Sequence, residues 1–246
     1  MADQPNRSWL MRKLEGALQR GFLRAYHQVR VDPARFLMQL RSAHGLPISG
    51  YEGVFQVDLR LLDKVADETI HSGMRLAGLQ GAGFGLGGVL TLVPDMSLMA
   101  AITLRTVQKL SLIYGFEFNT DKEMAELWVA TASAAGVDIG RELVEKELLN
   151  KFVPRVIQRI AVSASAEVVE KWAARVIPVL SSVLGAGLNY YFIRAWGGRA
   201  KKYFRAKHLE ARQRNHRPPT TVSGDAVPAL GTQTILPPSG AALTRS

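Results

Sequence analysis

Residues 76–95 read LAGLQGAGFGLGGVLTLVPD, and within them Gly83, Gly85 and Gly88 reproduce the G-x-G-x-x-G spacing of a dinucleotide-binding turn. The fold follows from how this stretch is read. A phosphate cradle needs a β-strand before its first glycine and an acidic residue about twenty positions later for the ribose. The preceding run VADETIHSGMRLAG (65–78) has helical rather than strand character, and the next carboxylates, Asp95 and Glu117, fall too near and too far. Gly88 is followed by Val89 and Leu90, not by the Lys-Ser/Thr of a phosphate loop. No cofactor is implied. The alternative is packing: Gly78, Gly81, Gly85 and Gly88 step by three, four and three residues, along one seam of a helix. Each helical glycine costs about 1 kcal/mol against alanine, so the six at 78, 81, 83, 85, 87 and 88 cost roughly 5–6 kcal/mol. A helix with that burden needs a neighbour close to its backbone. A turn over part of the stretch is the other reading.

A neighbour is visible downstream. IPVLSSVLGAGLNYYFI (177–193) sets Ser182, Gly185 and Asn189 at the same three-to-four spacing. Residues 76–94 and 176–193 both lack formal charge and approach bilayer-spanning length, yet Gln80, the Pro94-Asp95 pair and Asn189 interrupt them. Shallow insertion, peripheral attachment and a buried soluble core are all compatible with such segments; a full span is not expected. RAWGGRAKKYFRAKHLEARQRNHR (194–217) then carries nine Lys/Arg against Glu210 alone, with Trp196, Tyr203 and Phe204 interleaved. Cations and aromatics beside an apolar run match an anionic leaflet. Arg194, Arg199, Lys201, Lys202, Arg205 and Lys207 form the candidate membrane- or anion-binding set. A solvated terminal helix and a nucleic-acid surface are the alternatives, the second without a recognised motif.

The rest of the chain supports an all-α reading. MADQPNRSWLMRKLEGALQRGFLRAY has Leu10, Leu14, Leu18, Phe22 and Tyr26 at four-residue steps and reads as an amphipathic helix, not a secretory signal. Asp32, Pro33 and Gly45 bracket a short helix by N-cap, first-turn proline and C-terminal glycine. LPISGYEG reads as a loop, and Thr120 with Glu123 as a capping box. Helical period runs on to Phe152, stops at Pro154, and resumes from Arg155 to about Arg214 with a break or kink at Pro178. No run alternates as a strand should. Three regions result: N-terminal amphipathic helices over 1–50, a helical domain over 55–212, and a Pro/Thr/Ser-rich tail over 213–246 that reads as disordered. The formal charge of +10 points to an anionic partner, and the absence of cysteine fits a cytoplasmic protein with no thiolate chemistry.

Several of these pieces, in this order, resemble the EcsC family of bacterial proteins: the glycine run before Pro94-Asp95, Ile113-Tyr114-Gly115-Phe116 with Asp121 and Glu123 beyond it, Ile177-Pro178 before Gly185-Ala186-Gly187-Leu188-Asn189, and Ala200 with Phe204. The resemblance covers roughly 55–210. It implies a helical, membrane-proximal protein and, through the family namesake's place beside an ABC transporter, a membrane-protein partner in transport or secretion. It carries no active site. The residues themselves supply none: His27, His44, His71, His208 and His216 are scattered, and Asp63, Asp67 and His71 on one helical face lack a completing metal element. The functional expectation is a non-enzymatic accessory or scaffold protein at the membrane. An enzyme or ligand-binding protein with a site between helices is the alternative.

Overall fold

The computed structural model describes residues 4–84, 92–139, 148–173 and 181–216. Among these residues seven α-helices follow in order: α1 (Gln4–Gln28), α2 (Pro33–His44), α3 (Leu59–Phe84), α4 (Leu92–Ile113), α5 (Asp121–Ala134), α6 (Leu149–Ala173) and α7 (Ser181–His216). A 3-10 helix, Tyr51–Gln56, stands before α3. Among the described residues there is no strand, and the fold is all-α.

Local signals set the short helices. Asp32 accepts hydrogen bonds from the amides of Ala34 and Arg35 at 2.9 and 3.2 Å, and Gly45 turns the chain out of α2 at φ 64°. Thr120 and Glu123 close a reciprocal capping box on α5. Burial then selects one face of each helix. Leu14, Leu18 and Phe22 of α1, Leu62 and Val65 of α3, and Trp196 and Phe204 of α7 belong to one continuous core. The stacked rings of Phe22 and Trp196, 5.9 Å apart, join α1 to α7 across it. α1 and α2 bury their apolar faces in the same core as the helices that follow.

Two expectations change in detail. Part of the loop at 46–53 is taken up by the 3-10 helix, where buried Tyr51 donates its hydroxyl to the Pro33 carbonyl at 2.7 Å. Pro154 does not stop a helix; it lies inside α6 as the sixth residue, solvent-exposed, where water can serve the carbonyl left unpaired by its missing N–H. The break expected at Pro178, much of the glycine-rich run, and the tail from Arg217 fall outside the described residues.

Helix directions place the charge-free segments together. The Tyr114 hydroxyl reaches Asp63, and Gly73 faces Ile102 and Thr106, so α4 runs antiparallel to α3. Gly21 of α1 meets Met96 and Ser97, while Gln108 bonds the backbone of Val29 and Val31, so α1 runs parallel to α4. The C-terminal part of α3 and the N-terminal parts of α1, α4 and α7 share one end of the bundle.

Candidate functional site

The α3–α7 contact carries the most informative chemistry. Asp63 pairs with Arg205 at 3.0 Å and Asp67 with Lys201 at 2.7 Å. One turn on, a Cβ placed on Gly197 would stand 3.0 Å from Ile70, and one on Gly73 would stand 3.1 Å from Ile193. Each step of three or four residues along α3 is matched by a similar step back along α7. The helices are antiparallel, and Gly73 and Gly197, neither among the glycines expected to pack helices, each leave room for an isoleucine side chain of the other helix. The same register carried one step further sets Leu76 against Tyr190. Both are exposed, at 43% each. Beyond them α3 continues uncharged to Phe84, and α7 is uncharged back to Ser181. The pair is thus ion-paired at one end and charge-free at the other.

This arrangement redistributes the six basic residues. Arg199 donates to the Ala134 carbonyl at 2.6 Å and to Glu167 at 3.1 Å, which ties α7 to the C-terminus of α5 and to α6. Lys201 and Arg205 are held by Asp67 and Asp63 of α3. Lys207 pairs with Glu126 of α5 and sits 4.5 Å above the Phe116 ring. Only Arg194 and Lys202 of the six are fully exposed. Half-exposed ion pairs contribute about 0.2–1 kcal/mol each, so their main effect is to set the register of three helices against α7. A helix that reads as a free cationic surface has four of its cations directed inward.

Other cations have no carboxylate partner among the described residues. Arg12, Lys13, Arg20 and Arg24 on α1 and Arg75 on α3 are exposed, and Trp9, 47% exposed, lies under the Lys13 ammonium at 5.4 Å. All belong to elements at or leading to the charge-free end.

Of the five glycines expected to pack helices, Gly78 has open space around it: a Cβ there would meet nothing within 4 Å. Gly81 and Gly185 lie in α3 and α7 with surroundings outside the described residues, and Gly85 and Gly88 lie outside them altogether. Since α3 is helical through Phe84, the first glycine of the G-x-G-x-x-G spacing stands inside a helix, not after a strand. The acidic face with His71 is dispersed: Asp63 and Asp67 hold cations of α7, and His71 bonds the carbonyl of Asp67 through Nδ1 at 2.7 Å. Among the described residues no three candidate ligands gather around a metal-sized space.

A buried polar knot closes the other end of α7. The Tyr114 hydroxyl donates to Asp63 at 2.7 Å, and burial, with that bond second, raises the phenol's pKa. Fully buried His208 stacks on Phe55 at 5.0 Å and bonds the Tyr114 carbonyl through Nδ1 at 3.0 Å. Burial lowers its pKa from the ordinary 6.5. Since a carbonyl only accepts, Nδ1 carries the hydrogen, and Nε2 faces no partner.

These features define a helical bundle with an internal charge ladder between α3 and α7, the two helices continuing uncharged past Leu76 and Tyr190. The EcsC protein family model matches residues 23–209, and the chain belongs to that family. It is similar to two proteins of Bacillus subtilis (strain 168). Protein EcsC is 22% identical over 189 residues, covering 75% of this chain and 79% of that one. The uncharacterized protein YdbA is 25% identical over 148 residues, covering 56% of this chain and 54% of that one, so the match spans about half of the relative's length. No solved structure matches.

Proposed function

We propose that this EcsC-family protein is a peripheral, non-enzymatic accessory protein of an anionic membrane surface, seated by the charge-free end of its bundle. The observation that carries this reading is the change in character along α3 and α7, from ion pairs at 63–67 and 201–205 to exposed Leu76 and Tyr190 and uncharged sequence beyond. Among the described residues no helix is long and apolar enough to cross a membrane. The nine residues of α3 from Leu76 to Phe84 rise about 13 Å, less than half of a hydrocarbon core of about 30 Å, which suits shallow insertion into one leaflet. Exposed Arg12, Lys13, Arg75 and Arg194 then meet headgroups, at about 1 kcal/mol per cation near an anionic surface. Trp9 fits the interfacial layer where indoles concentrate. The anion-binding role passes from the paired cations of α7 to these free ones.

Flotation with liposomes tests the reading. Purified protein should float with vesicles rich in phosphatidylglycerol and much less with phosphatidylcholine alone. Leu76→Glu with Tyr190→Glu should abolish flotation, and Arg12→Gln with Lys13→Gln should remove the preference for acidic lipid. Failure to float with either lipid, together with salt-sensitive retention on single-stranded DNA, would replace the membrane with nucleic acid as the partner.

A further inference from the structure

A cavity of about 360 Å³ opens where the end of α1 meets α4, the start of α5 and the start of α6. It lies in the size range of small-molecule sites. Its wall is divided about evenly between polar and apolar surface, with Tyr26, Leu104, Phe118 and Trp128 in the apolar and aromatic part and the Tyr26 ring edge-on to Trp128 at 5.7 Å. Two polar features of the lining offer positive charge. Arg30 is exposed and has no carboxylate partner among the described residues. The capped N-terminus of α5 presents the positive end of its dipole at Thr120 and Asp121. Trp128 is fully buried, its indole nitrogen shielded from the cavity, so it lends the lining an aromatic surface. Asp121, the single carboxylate among the described lining residues, is exposed to solvent.

The position of Arg30 is built into the core. Gln108, 3% exposed, accepts the Val31 amide hydrogen at 2.9 Å and donates to the Val29 carbonyl at 3.0 Å. A buried side chain thereby pins the backbone on both sides of one arginine at the rim of the cavity. Its amide is satisfied in both roles, so Gln108 positions the arginine rather than the ligand.

We propose that this cavity binds a small monocarboxylic acid with an apolar body, its carboxylate on the Arg30 guanidinium and its hydrocarbon against Tyr26, Leu104 and Trp128. A metal ion is a poor match to the described lining residues, which hold one carboxylate. A neutral apolar molecule would leave Arg30 unused.

Calorimetric titration of the full chain, without lipid, tests this with octanoate and the isosteric neutral octanamide, both below micellar concentrations. Octanoate should bind saturably and at least about tenfold more tightly than octanamide, as expected for a charge-assisted hydrogen bond. Arg30→Gln, a change at an exposed position, should bring the two affinities together. Met124→Trp, which fills the cavity from a half-buried lining position, should weaken both ligands. Equal affinities in the unmodified protein, a preference that survives Arg30→Gln, or no saturable octanoate binding would each overturn the proposal. Octanoate taken up at the charge-free end of the bundle would be insensitive to both variants, and that result also overturns it.

Discussion

Two glycine-to-alanine substitutions, chemically identical, should move stability in opposite directions. Gly21 and Gly78 both lie inside helices, α1 and α3, so alanine gains about 1 kcal/mol of helix propensity at either position. At Gly78 the new methyl meets nothing within 4 Å, and that gain stands alone. At Gly21 it would lie 3.0 Å from the Met96 carbonyl oxygen and 3.0 Å from the Ser97 Cα. Both are backbone atoms of α4, which cannot rotate aside as a side-chain end can, so α1 and α4 must part by a few tenths of an ångström. Overpacking of this kind costs about 1–3 kcal/mol, which leaves a net loss of about 1 kcal/mol at Gly21. In a chain of this size 1 kcal/mol moves the midpoint by about 2–4 °C. Scanning calorimetry should therefore show Gly78→Ala melting about 2–4 °C above the unmodified protein and Gly21→Ala a similar amount below it. Equal rises in both would refute the close approach of α1 to α4. A fall at Gly78 would restore that glycine to a packed seam.

Asp63→Ala should cost about 2 kcal/mol in urea unfolding, because it strands the buried Tyr114 hydroxyl as well as releasing Arg205; combined with Tyr114→Phe the loss should be smaller than the two single losses added. A fully additive double variant would show that the two groups are not coupled. The His208 imidazole, its pKa lowered first by burial and then by neighbouring Arg212 against the opposing Tyr114 carbonyl and Asp63, takes up its proton less readily in the folded chain than in the unfolded one. Its contribution is complete above the unfolded value of about 6.5 and declines as pH falls below it, so His208→Phe should flatten the dependence of melting temperature on pH between about 7 and 5; an unchanged slope would exclude His208 as its source.

What the sequence makes legible here is local. Asp32, Gly45, Thr120 and Glu123 act within a few residues of themselves, so the ends of α2 and α5 can be read directly. The four-residue spacing of Leu14, Leu18 and Phe22 likewise marks a face that is buried. Pro154 misleads because the cost of proline depends on where a helix starts, and α6 starts only five residues earlier. The glycine seam is harder still. Small residues state that close approach is possible, not which partner arrives: Gly73 and Gly197 meet isoleucines across α3 and α7, while Gly78, equally small, meets open space.

Charge shows the same division between what a chain lists and what its fold pairs. Nine cations against one carboxylate over 194–217 describe a basic surface only if nothing acidic from elsewhere lies against it. The acidic groups come from three other helices: Asp63 and Asp67 from α3, Glu126 from α5, Glu167 from α6. One signal for this is present in the sequence, since Asp63 and Asp67 repeat at the same four-residue interval as Lys201 and Arg205, which is what antiparallel helices need to pair twice. A local charge count cannot supply that register, because it depends on which helices become neighbours. The ladder also gives the charge-free end its meaning. Ion pairs fix α3 against α7 over one half of their contact, so the uncharged continuations of two helices about 100 residues apart in the chain leave the ladder in the same direction.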